Sequence, residues 1–118
     1  MNDATPSPDP AAPPAVPAIP PPKPIRDFPA FFDALGNPLR WQLVKLMVTG
    51  GPLSASAAAE AVRREFDGVS KHLRVLRKAG VIASRAGKDR RYELYHIPDH
   101  VRRADGVLDY GFCVIRVM

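Results

Sequence analysis

The chain has 118 residues and a formal net charge of +5, from 17 Lys and Arg against 12 Asp and Glu. That length allows one domain, and a single cysteine, Cys113, excludes an internal disulfide and leaves too few thiols for a structural zinc site. No apolar run is long enough to span a bilayer, and the first residues lack the basic start and apolar stretch of a secretory signal, so a cytoplasmic protein with no membrane partner is expected.

Eleven of the fourteen prolines fall within residues 1–29. The opening stretch has little apolar mass beyond Ala, Val16 and Ile19, too little to offset the entropy of ordering, so residues 1–24 are expected to be a disordered, proline-rich arm. The folded domain is then residues 25–118, enough chain for one modest core. Its charge is uneven. Residues 63–103 hold twelve of the seventeen Lys and Arg but five of the twelve acids, a concentration that favours a polyanionic partner.

Phe28, Phe31, Phe32 and Leu35 recur at helical spacing and predict a first short helix ending at Gly36. Asn37-Pro38 opens a second: Asn accepts an orphan amide hydrogen and Pro loses no bond at the first helical position. Leu39, Leu43, Leu46 and Met47 form its buried stripe, widened by Trp41, Val44 and Val48, and Gly50-Gly51-Pro52 stops it. Ser54 caps a third, alanine-rich helix through about Val62, with side chains small enough for close approach by a neighbour.

The fourth helix, 66–79, has two faces. Phe66, Val69, Leu73 and Leu76 lie on one, and Asp67, Ser70, Lys71, Arg74 and Lys78 on the other. After Gly80, "VIASRAGKDRRYELYHI" predicts two short strands around Gly87-Lys88-Asp89, with Arg85, Lys88, Arg90 and Arg91 crowding the tip. Pro98 to Gly106 carries no clear pattern, and "VLDYGFCVIRVM" has the β-branched and aromatic density of one further strand.

Two helices meeting through a tight turn, the second amphipathic and basic, with a charged hairpin behind them, form a helix-turn-helix with a wing. The expected fold is therefore mainly α with a small β wing: four helices, a hairpin and an extra C-terminal strand. The ordered set "ALGNPLRWQLVKLM", "GPLSASAAAEAV", "VSKHLRVLRKAGVI" and "RRYELYHI" resembles the ArsR-type winged-helix transcriptional repressors of bacteria over roughly residues 28–97. The resemblance implies a dimeric, non-enzymatic protein that binds double-stranded DNA without a cofactor, its fourth helix in the major groove and its wing on the adjacent backbone or minor groove.

On that basis Asp67, Gly68, Ser70 and Lys71 are the reading positions, Arg74 and Lys78 lie nearer the phosphates, and Arg85, Lys88, Arg90 and Arg91 serve the wing. Asp67 either accepts a hydrogen bond from a cytosine amine or favours the positive end of the helix dipole. His72 falls between the faces and is read as a packing residue, Trp41 and Tyr95 as core. Arg40 is expected to reach a phosphate or a neighbouring carboxylate.

Some residues depart from the resemblance. Where many of those repressors carry a Cys-x-Cys metal ligand pair, this chain has Ser54-Ala55-Ser56, and hydroxyls are poor ligands for soft metals. His96, Asp99, His100, Asp105 and Asp109 lie on a strand end and a broken loop, so no metal site is expected. The usual long C-terminal helix of the dimer interface is replaced by a strand-like tail, in which residues 112–117 either extend the wing sheet or pair with a partner chain. A homodimer is still expected, matching palindromic half-sites about one turn, ~34 Å, apart.

Cys113 in this tail is either a small buried hydrophobe or a redox switch that releases DNA on oxidation. A second class of function is a protein-interaction module whose proline-rich arm docks into an aromatic-lined groove of a protein partner. An enzyme is the third class and the least supported: the acids Asp89, Glu93, Asp99 and Asp105 are scattered, and neither an oriented nucleophile nor a phosphate loop is recognisable.

Overall fold

The Asp27 carboxylate accepts the amide hydrogen of Ala30 at 3.0 Å and opens α1 (Phe28–Leu35) in the computed structural model, which describes residues 24–89 and 92–117. The expected arm up to residue 23 and the wing residues Arg90 and Arg91 lie outside the described residues. Asn37 caps α2 (Pro38–Gly50) by accepting from the amides of Leu39 and Arg40 at 2.9 and 3.0 Å, with Pro38 as first helical residue. Ser54 caps α3 (Ala55–Val62) through the amide of Ala57 at 3.1 Å, so the serine standing where a metal-binding thiol was conceivable is a structural cap. The fourth helix, α4 (Phe66–Ala79), ends at Gly80, whose φ of +90° is left-handed and whose missing Cβ leaves room for Ile25, 2.6 Å from where that atom would sit.

Three strands complete the wing. The pair β1 (Leu53–Ser54) and β2 (Ala83–Ala86) flank β3 (Glu93–His96), all antiparallel, in register Leu53 to Tyr95 and Arg85 to Leu94. Sequence patterning predicts only the β2–β3 hairpin; β1 is two residues long, too short to show any alternation.

The core lies between the helices and is closed by the C-terminal segment. Phe31, Leu43, Met47, Val69, Leu73 and Leu76 are fully buried, as periodicity predicts. Leu39 and Leu46, also expected in the buried stripe of α2, are half-buried rather than buried. Phe66, expected on the buried face of α4, is instead 50% exposed: it is the first residue of its helix, where the turn lies beyond the edge of the core.

The tail is not one strand. Two 3-10 turns lead into a second hairpin, β4 (Val107–Asp109) with β5 (Val114–Arg116), which neither extends the wing sheet nor needs a partner chain to form. Its turn is closed locally: the Gly111 amide donates to Asp109 Oδ1 at 2.9 Å and the Tyr110 amide to the Cys113 carbonyl at 2.8 Å, with Gly111 at φ +90°. This turn sets Phe112 against α1, stacked on Phe28 at 4.2 Å between centroids and edge-on to Phe31 at 5.0 Å. Tyr110 packs edge-on to Phe31 at 4.8 Å and donates its hydroxyl to the Val81 carbonyl at 2.7 Å. The aromatic face of α1 is thus covered in part by its own chain. Among the described residues, no helix is long and apolar enough to cross a membrane.

Candidate nucleic-acid interface

The polar face of α4 is set by its buried one. With Val69, Leu73 and Leu76 turned inward, Asp67, Lys71, Arg74 and Lys78, at i, i+4, i+7 and i+11, form a single exposed stripe. Lys71, Arg74 and Lys78 have no hydrogen-bond or ion-pair partner among the described residues. Ser70 is half-buried beside the stripe, and Gly68 is exposed, with nothing within 4 Å of where a Cβ would lie. Arg85 and Lys88 are exposed on the wing. Lys78 stands at the far end of the helix, close to Gly80 and Ile25.

Among the described residues, nothing calls for glycine at position 68, and glycine within a helix costs about 0.5–1 kcal/mol relative to alanine. Gly68→Ala is therefore expected to raise thermal stability by about that amount and, with Gly68 a reading position as the sequence predicts, to weaken duplex binding by placing a methyl on that exposed surface. Paired melting and binding curves test it; a variant that gains stability with no loss of binding would remove Gly68 from the interface.

The helix and wing are locked to each other by residues that sequence reasoning did not single out. Arg77 donates from Nη1 to Glu93 Oε2 at 3.0 Å and to Ser84 Oγ at 3.1 Å, and the Ser84 hydroxyl donates to the same Glu93 oxygen at 3.0 Å. The Tyr95 hydroxyl donates to Glu93 Oε1 at 3.1 Å, and the Arg77 guanidinium lies 5.8 Å from the centre of the Tyr95 ring. Burial, then the Glu93 hydrogen bond, push the Tyr95 phenol up and keep it a donor. An ion pair this exposed adds little stability by itself; its contribution is to fix the angle between α4 and wing. The available signal was Glu93, with Asp89 one of two acids amid the wing's cations.

Arg40 does not reach outward. Its Nε donates to the Ala34 carbonyl at 2.7 Å, an orphan acceptor at the end of α1, and its Nη2 to the Asp33 carbonyl at 3.4 Å, which also accepts the Gly36 amide. Its Nη1 lies 3.2 Å from His72 Nδ1, and because guanidinium only donates, Nδ1 is the acceptor and the ring proton sits on Nε2. His72 is half-buried, the packing role expected of it. Arg102 plays a similar part on α2, donating to the Met47 carbonyl at 3.0 Å and the Val48 carbonyl at 3.4 Å.

Burial, and then the Arg40 charge, hold the His72 pKa below its ordinary 6.5. The folded state therefore binds fewer protons than the unfolded state as pH falls through about 6.5, and stability drops in that direction. The urea midpoint should fall more between about pH 7.5 and about pH 5.5 in the wild type than in His72→Gln. Equal losses in the two proteins would sever this link.

Cys113 is half-buried in the β4–β5 turn, and burial, followed by nearby Asp109, pushes its thiol up. The thiolate, which is the reactive form, is thereby disfavoured. Among the described residues, no three His, Cys, Asp or Glu side chains converge as a metal site would require.

Four helices, a tight α3–α4 turn and a braced wing define a winged helix-turn-helix fold. Residues 36–101 match the HVO_A0114 family model, and the chain belongs to that family. An uncharacterized HTH-type transcriptional regulator of Methanocaldococcus jannaschii, MJ1325, is 29% identical over 68 residues, which cover 58% of this chain and 74% of that protein.

The solved homodimeric winged helix-turn-helix DNA-binding domain of Mb0332 from Mycobacterium bovis, described as a possible ArsR-family regulator, superposes with a TM-score of 0.54 at 24% identity. The match covers 59% of this chain and 62% of that one. Rv0081 of M. tuberculosis superposes with a TM-score of 0.52 at 31% identity, covering 59% of this chain and 68% of that one. These relatives come from an archaeon and from bacteria.

Proposed function

We propose that this protein is a sequence-specific transcriptional regulator, acting as a repressor, that reads the major groove of double-stranded DNA with helix 66–79 and contacts the backbone with the 85–91 wing. The observation that carries this reading is the stripe of exposed cations on α4, unpaired among the described residues, beside a wing held in place by Arg77 and Glu93. A helix fits the major groove, and the exposed side chains of its first turns are the ones that reach base edges. Asp67, Gly68, Ser70 and Lys71 are then the reading positions, with Arg74 and Lys78 toward the phosphates and Arg85, Lys88, Arg90 and Arg91 on the wing. The test is binding to the DNA upstream of its own gene and to scrambled duplex across a salt series. Preference for the former with a steep, linear log–log salt dependence supports the reading; weak binding to both that ignores salt overturns it.

The protein works as a homodimer in this reading. Support comes from the homodimeric Mb0332 domain and from Phe28 and Phe32, which remain 43% and 50% exposed on α1. Phe32→Asp is expected to give a folded monomer with weakened operator binding, read by sedimentation equilibrium; a wild type that is already monomeric while it occupies a palindromic site removes the dimer. For Cys113 the raised thiol supports packing over redox sensing. A protein partner for the proline-rich arm is a separate proposal, tested by whether removing residues 1–23 changes partner capture without changing DNA affinity.

A further inference from the structure

Between the start of α3, the start of α4 and the wing lies a cleft of about 300 Å³. Two aromatic rings left outside the core line it, Phe66 and Tyr92, 50% and 54% exposed. Phe66, Ser70 and Arg74 follow one another at i, i+4 and i+8, so they form one row along α4 on the side turned toward the wing. The one acid in this cleft, Glu93, is already engaged by Arg77, Ser84 and Tyr95. The α4 row thus offers a ligand an apolar ring, a hydroxyl and a guanidinium, Arg74 having no partner among the described residues, with the Tyr92 ring across the cleft.

The half of a recognition helix that meets base edges is its N-terminal half, and Phe66 is its first residue. A phenyl ring offers no hydrogen bond. The apolar group that a base pair presents in the major groove is the 5-methyl of a pyrimidine. We infer that Phe66 is a specificity-determining residue that packs on a pyrimidine 5-methyl group, with Ser70 and Arg74, next in the row, holding the neighbouring base edge and phosphate. This rests on α4 being the major-groove helix. Thymine and 5-methylcytosine share that methyl, and both are sources of the contact.

The experiment begins with selection from a random duplex pool by wild type and by Phe66→Ala. The thymine favoured by the wild type is then replaced by uracil, which removes the methyl and nothing else, and in a further duplex that base pair is replaced by 5-methylcytosine with guanine. Without that one methyl, wild-type binding should weaken about three- to tenfold on the uracil duplex. Phe66→Ala should bind the thymine and uracil duplexes alike, while Phe66→Leu keeps most of the discrimination. The salt slope should be the same in wild type and Phe66→Ala, because a phenyl neutralises no phosphate. Tighter wild-type binding to 5-methylcytosine than to thymine would make methylated cytosine the source, and the reverse order thymine. Identical selected sequences and identical uracil sensitivity in wild type and Phe66→Ala would overturn the inference while leaving the DNA reading intact. A wild type that binds no duplex overturns the DNA reading and this inference with it.

Discussion

Lys71→Ala/Arg74→Ala should bind duplex DNA at least about tenfold more weakly than wild type while melting within about 0.5 kcal/mol of it. Both side chains are exposed and unpaired among the described residues, so removing them leaves no buried charge and no cavity. Each phosphate that is no longer neutralised lowers the log–log salt slope by about 0.9, and two of them by up to about 1.8. The same titration separates their roles. A residue on a phosphate weakens specific and scrambled duplex alike, whereas a residue on a base edge lowers the ratio between them, by about 1–3 kcal/mol for a bidentate pairing. An unchanged slope and an unchanged ratio in a folded variant would exclude this face of α4 from the interface.

The second large effect concerns the fold. Phe31→Ala is expected to cost about 3–5 kcal/mol, a large share of the roughly 5–15 kcal/mol by which domains are stable. Phe31 is fully buried, and its ring meets Phe32 at 5.4 Å, Tyr110 at 4.8 Å and Phe112 at 5.0 Å. It therefore joins α1 to the C-terminal hairpin, and its loss opens a cavity at the seam. Phe112→Ala, at a half-buried position, should cost less. Urea midpoints measure both; a Phe31→Ala loss below about 1 kcal/mol would mean that the hairpin does not close the core as described.

Where the sequence was legible, it was legible through repetition and capping chemistry. The stripes of α1, α2 and α4 repeat over two to four turns, and Asn37-Pro38 and Ser54 mark helix starts with residues that have a mechanical reason to be there. The exposed stripe of α4 followed from the same periodicity, because fixing Val69, Leu73 and Leu76 inward fixes Lys71 and Arg74 outward. Phe66 escaped it: periodicity assigns a side to a residue but does not say where along the helix the neighbouring elements stop. Arg40 escaped because its acceptors, the carbonyls of Ala34 and Asp33, are brought near only by the turn between α1 and α2.

The C-terminal hairpin is a different case, since a signal was present. Asp109-Tyr110-Gly111 is an Asx turn with a left-handed glycine, and Asp109 does accept the Gly111 amide. The density of β-branched and aromatic residues on both sides masked it as one continuous strand. The Arg77–Glu93 brace depends on the strand register that opposes Ser84 to Tyr95, which no local pattern encodes.

In the proposed function α4 and the wing together form the surface that meets DNA. The most direct test is to follow backbone amide shifts of the labelled full chain while a duplex selected by the wild type is added. Perturbations are expected to concentrate at residues 67–78 and 85–91, with α2 and the β4–β5 hairpin little changed at low protein concentration. Shifts confined to α1 and the hairpin, with the amides of α4 silent at saturating duplex, would contradict it.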